Sequence, residues 1–115
     1  MRTNKMKVFI SGPMTGITEN NFPLFYKAAD MLKDKGYEVV NPADLFPEDR
    51  LISNHTRREY VAAAVLALLT CDAICTLPGW RESVGAYAEY RLAYSLDIKV
   101  MHMTLSEKSI CGPHY

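Results

Sequence analysis

Much of what would place a chain quickly is missing here. Cysteines number three among 115 residues, an odd and small count that gives no disulfide framework and points to a reducing cytoplasm. Cys71 and Cys75 flank or enter a β-rich run and read as small core residues. No apolar run reaches the roughly 20 residues of a membrane span, and residues 1–7 lead into a strand rather than a signal-peptide core. No membrane partner is expected. An excess of one charge is also lacking: 13 lysines and arginines balance 13 aspartates and glutamates. No global field therefore draws in a nucleic acid polymer. His55, His102 and His114 stand apart, and no histidine or cysteine cluster has ligand spacing, so no metal site is expected. There is neither an internal repeat nor a low-complexity linker. The chain reads as a single domain over 1–115, with 104–115, containing Gly112-Pro113, as a tail or interface arm.

What is present is a strict alternation. Short β-rich runs at 7–11, 37–40, 73–77 and 99–103 are separated by helical patterns at 22–35, 56–70 and 84–95. Residues 43–55 read as a loop. Strands separated by helices of this length imply right-handed crossovers, hence an α/β fold with a doubly wound parallel sheet of about four strands. With strand order 2-1-3-4, the ligand crevice lies beyond the carboxyl ends of the first and third strands. The loops there are 11–16 and 77–83, which are also the oddest sequences in the chain.

The first loop, Ser11-Gly12-Pro13-Met14-Thr15-Gly16, has glycines that let backbone approach a ligand and N–H groups that can form an anion nest. It lacks the Gly-Lys-Ser/Thr ending of a P-loop, and a plain tight turn explains it as well. Past the second loop, Glu89 shares a helix face with Gly85, Ala86 and Ala93. Neither Gly85 nor Ala93 offers a cation, and such small walls leave room for a ligand. An exposed glutamate is the plainer alternative. Ser83 opens that helix as an N-cap. Trp80, after Pro78-Gly79, either stacks on a nucleobase or meets another subunit.

Taken together, Val-Phe-Ile-Ser-Gly-Pro-Met-Thr-Gly at 8–16, Asn41-Pro42, Cys-Asp-Ala-Ile at 71–74, Leu-Pro-Gly-Trp at 77–80, and Ser83 with Gly85, Ala86 and Glu89 resemble the nucleoside 2-deoxyribosyltransferase-like superfamily. The likeness covers roughly 6–103 and is greatest to a small branch found in phages and bacteria. It implies a flavodoxin-like fold, no cofactor, a homodimer or higher homo-oligomer, and cleavage of the base–sugar bond of a small nucleoside or nucleotide. By position, Glu89 is implied as the nucleophile, forming a glycosyl-enzyme ester. Serine rather than aspartate at Ser83 implies a 5′-monophosphate, held by Ser83 and the N–H groups of Gly85 and Ala86. Gly12, Pro13, Met14 and Gly16 form the opposite wall. The superfamily's second carboxylate belongs to an Arg-Arg-Asp segment where this chain has Ala62-Ala63-Ala64. Ala64 stands in the aspartate's place and is expected to face the crevice; Glu59 is on another helix face. Asp72 is expected to act locally. Trp80, Tyr87, Tyr90 and Tyr94 supply the aromatic surface of a subunit contact. Two readings follow: an N-glycosidase preferring hydrolysis to base transfer, or a nucleotide-binding module of the same fold with lost or weak catalysis. A flavin carrier fits poorly, because the first loop lacks a serine- and threonine-rich phosphate wrap.

Overall fold

The structure, a computed structural model, describes residues 5–14, 16–44, 57–103 and 110–111. Most of the 43–55 loop and of the 104–115 tail, with His55 and His114, lies outside the described residues. Strand β1 (Lys7–Ser11) is followed by α1 (Phe22–Asp34), β2 (Glu38–Val40), α2 (Arg57–Leu68), β3 (Ala73–Thr76), α3 (Val84–Ser95) and β4 (Lys99–Met103). These four strands are parallel in the order β2-β1-β3-β4, the expected flavodoxin-like arrangement. A fifth strand, β5 (Ile110–Cys111), adds antiparallel to β4, so part of the expected tail extends the sheet. No helix among the described residues is long and apolar enough to cross a membrane.

Alternation along each strand divides the core into two layers. On one face Val8, Ile10, Ala73, Cys75, Met101 and Met103 meet Phe25, Ala28, Ala29 and Leu32 of α1. On the other, Phe9, Ile74 and Val100 meet Ala64 and Leu68 of α2 and Ala93 of α3. Glycine stops α1: Gly36 has φ +94°, and its N–H donates to the Lys33 carbonyl at 2.9 Å.

Asp72 has the local role expected of it, at the amino end of the sheet. The Lys7 N–H donates to its Oδ2 at 2.9 Å, while its own N–H donates to the Lys7 carbonyl at 2.7 Å. That clip lies at the far end of β1 and β3 from the crevice. At the carboxyl end, the same pleat puts Ser11 on the face of Phe9, towards α2 and α3. Ser11, Thr76 and His102 stand in register across β1, β3 and β4, a polar row ending an apolar layer. The Thr76 hydroxyl meets His102 Nδ1, which fits His102 as a structural residue.

Candidate functional site

The loops after β1 and β3 touch. The Leu77 N–H donates to the Ser11 carbonyl at 2.8 Å. A Cβ on Gly12 would lie 2.8 Å from Leu77 Cβ, so a side chain at this position has no room without movement of the backbone. One on Gly79 would lie 3.2 Å from Pro13 Cγ. The glycine at 12 thus serves loop-to-loop packing. Asn21 fixes the first loop from outside, its Nδ2 donating to the Pro13 carbonyl at 2.9 Å.

Between the loops opens a cavity of about 440 Å³, walled by Pro13, Met14 and Ile17 on one side and Gly79, Glu82, Ser83, Val84 and Gly85 on the other. Its walls are largely apolar, and Glu82 is the charged member among them. Four of the expected site residues, Pro13, Met14, Ser83 and Gly85, are in these walls. Gly12, Gly16, Trp80, Ala86 and Glu89 are not, while Ile17, Glu82 and Val84 are additions.

Ser83 is a true N-cap: it is extended (φ −95°, ψ 120°) and its Oγ accepts from the Ala86 N–H at 3.2 Å. That corrects one expectation. The Ala86 N–H is committed to the cap and the residue is 2% exposed, so it is not a spare donor for a ligand. The Gly85 N–H, in the first helical turn, has no intrahelical acceptor. A Cβ on Gly85 would meet nothing within 4 Å. Gly85→Ala is therefore expected to stabilise α3 by up to about 1 kcal/mol while placing a methyl group in the cavity. A raised thermal midpoint with weakened ligand binding would bear this out; a lowered midpoint would show that packing demands the glycine.

One turn beyond Gly85, Glu89 reaches back to the sheet. Ser11 Oγ donates to its Oε1 at 2.5 Å. Glu89 is half-buried as a residue, with its carboxyl turned inward. Burial pushes that carboxyl up to about 7 from the usual 4.5, against the opposing pull of the Ser11 hydroxyl. Among the described residues no cation contributes to the shift. The expected face of small residues is present, with Ala86 and Ala93 buried beside it.

Trp80 departs from the expected place on the crevice. Its ring stacks on His102 at 5.3 Å and on Tyr87 at 6.1 Å, with Tyr90 tilted against it at 4.5 Å. The Arg81 guanidinium lies 5.2 Å from the ring centroid. With these neighbours, the indole belongs to an aromatic cluster over β4 rather than to the cavity wall. Ala64 departs as well. It is 0% exposed and packs with Phe9, Leu68, Cys71, Ile74, Ala93 and Val100, inside the apolar layer rather than on the crevice. Glu59 is exposed, as expected of a residue on another helix face.

Residues 6–102 match the family described as a domain of unknown function, DUF4406. The chain belongs to this family. The match spans both crevice loops, the Ser11–Glu89 pair and the whole of α3, so the DUF4406 domain contains every element of the site. No curated protein matches the chain. Sequence reasoning missed Ser11 as a partner of Glu89, although strand alternation from Phe9 already turned it towards the helix.

Proposed function

We propose that this DUF4406 chain cleaves the N-glycosidic bond of a (deoxy)nucleoside 5′-monophosphate, with hydrolysis preferred over transfer to a second base. The observation that carries the reading is the Glu89 carboxyl: turned inward, with no cation beside it among the described residues, bonded to one hydroxyl, and set one turn from a cavity of ligand size. The motifs that liken the chain to the nucleoside 2-deoxyribosyltransferase-like superfamily include this glutamate. A Glu89 oxygen attacks C1′ as the C1′–N bond breaks, and the bonding pair leaves with the base nitrogen, which takes a proton from water. A second water attacks C1′, restores the carboxylate and gives up a proton. The sum consumes one water and releases free base and sugar phosphate. Only the ionised carboxylate attacks, so the rate climbs as pH rises through about 7.

Phosphate is assigned to Ser83 and the Gly85 N–H, where the positive end of α3 favours an anion. Glu82 opposes an anion nearby, which makes the contrast between monophosphates and free nucleosides informative. The second reading, a nucleotide-binding module without turnover, draws on Ala64, whose methyl group fills a sealed apolar position where a supporting carboxylate is absent. Chromatography of the protein with a panel of nucleosides and 5′-monophosphates decides between them. Free base from monophosphates, faster than from nucleosides, supports the first; binding without release supports the second.

The exposed Val84, Tyr87, Tyr94 and Leu96 lie along α3 and the turn after it, and support assembly into a homo-oligomer. Light scattering at micromolar concentration is expected to give at least a dimer mass; a monomer mass refutes it. The buried thiols Cys71 and Cys75 suit a reducing cytoplasm as the working compartment.

A further inference from the structure

Glu89 hangs from α3 on a long rotatable stem, and its own helix does nothing to hold the end. Its neighbours one turn away, Gly85 and Ala93, have no polar side chain. Ordering such a stem costs rotamer entropy that contacts elsewhere must offset. The polar contact comes from the sheet. Ser11 Oγ donates to Glu89 Oε1 at 2.5 Å, at the short end of the range for a hydroxyl on a carboxylate.

Ser11 is well suited to hold another group still. It is 1% exposed, its side chain has a single rotatable bond to the hydroxyl oxygen, and its backbone is fixed in the β1–β3 ladder. The Leu77 N–H pins its carbonyl at 2.8 Å. Gly12 follows in close packing against Leu77, so the strand end has little room to shift. A site mounted on a strand end keeps its geometry better than one on a loop. Among the described residues, Ser11 is the hydrogen-bond partner of this carboxyl, and Oε2 receives no protein donor.

We propose that Ser11 is the positioning residue of Glu89, fixing the place of Oε1 and leaving Oε2 as the oxygen that reacts. Its effect on turnover rests on the reading of Glu89 as the nucleophile; its effect on the carboxyl itself does not. The hydroxyl stabilises the ionised form, and burial opposes it. Removing the hydroxyl leaves burial unopposed, so the carboxyl of a Ser11→Ala variant holds its proton to higher pH.

The test is an NMR titration of the Glu89 carboxyl carbon in the parent, Ser11→Ala and Ser11→Thr, assigned by its loss in Glu89→Gln. It is run beside the pH profile of base release. Ser11→Ala is expected to raise the titration midpoint by roughly half a pH unit or more. It should also lower kcat at pH 6 by about tenfold, with KM changed less than about threefold. Ser11→Thr keeps the hydroxyl and is expected to restore the midpoint. A merely structural serine would lower the thermal midpoint and leave the titration where it was, and an unmoved titration in Ser11→Ala overturns the proposal. A titration that moves as expected in a parent protein that releases no base upholds Ser11 as the partner of the carboxyl. The glycosidase reading is then what fails.

Discussion

Ala64→Asp is expected to cost the fold several kcal/mol and to give no gain in base release. Ala64 is 0% exposed, and its neighbours Phe9, Leu68, Cys71, Ile74, Ala93 and Val100 offer no side-chain cation. A carboxylate there must either remain ionised without water or take up a proton, and an unpaired buried charge costs on the order of 3–5 kcal/mol. Aspartate is also a poorer helix former than alanine by roughly half a kcal/mol. Desolvation raises the pKa of such a group, so the loss grows with pH. Urea unfolding at pH 5 and pH 8 measures it: a clear fall in the midpoint at both, larger at pH 8, is the expected pattern. A variant as stable as the parent would mean that the α2 face seen here is not the one packed on the sheet.

Glu89→Gln is expected to make the protein more stable above pH 7 and no more stable near pH 4.5. The folded carboxyl titrates at about 7 against an ordinary 4.5, so the folded chain keeps this proton over a range where the unfolded chain has lost it. The stability linked to that proton is complete below pH 4.5 and is lost as pH rises through 7. For the parent the loss by pH 8 is on the order of 3 kcal/mol. Glutamine carries no proton to lose, and its carbonyl oxygen can still accept from Ser11. Its amide N–H groups need partners, which reduces the gain. Thermal midpoints of parent and variant between pH 4.5 and 8.5 should diverge upwards with pH. Parallel curves would show that burial does not strain this carboxyl. A residue that weakens the fold in the pH range where it is charged is kept for something other than stability.

The order of strands and helices was legible because each element announces itself. Val-Phe-Ile and Ala-Ile-Cys-Thr are short β-rich runs, and Phe25, Ala29 and Leu32 repeat at helical spacing. The meeting of the two crevice loops followed from strand order alone, and Ser83 was legible as a cap from its place before the helix. Four details were not legible. Alanine is compatible with a crevice wall and with a core, and only the contacts of Ala64 decide for the core. The ring of Trp80 is met by Tyr87 from α3 and by His102 from β4, contacts between separate elements that depend on side-chain placement rather than on spacing along the chain. β5 is a two-residue strand, too short for an alternation pattern to show. Ser11 stands at the head of the first-loop motif, yet its partner is 78 residues away, a pairing that depends on how α3 crosses the sheet.

The most direct test of Glu89 as the reacting group is the rate of free-base release, by parent and Glu89→Gln, from the best-binding 5′-monophosphate at pH 8. At that pH the parent carboxyl is mostly ionised, and the variant differs from it in charge and in a single atom pair. Release by the parent, with a fall of at least about a thousandfold in a variant that still folds and binds, is the predicted result. Equal rates from the two proteins would contradict it.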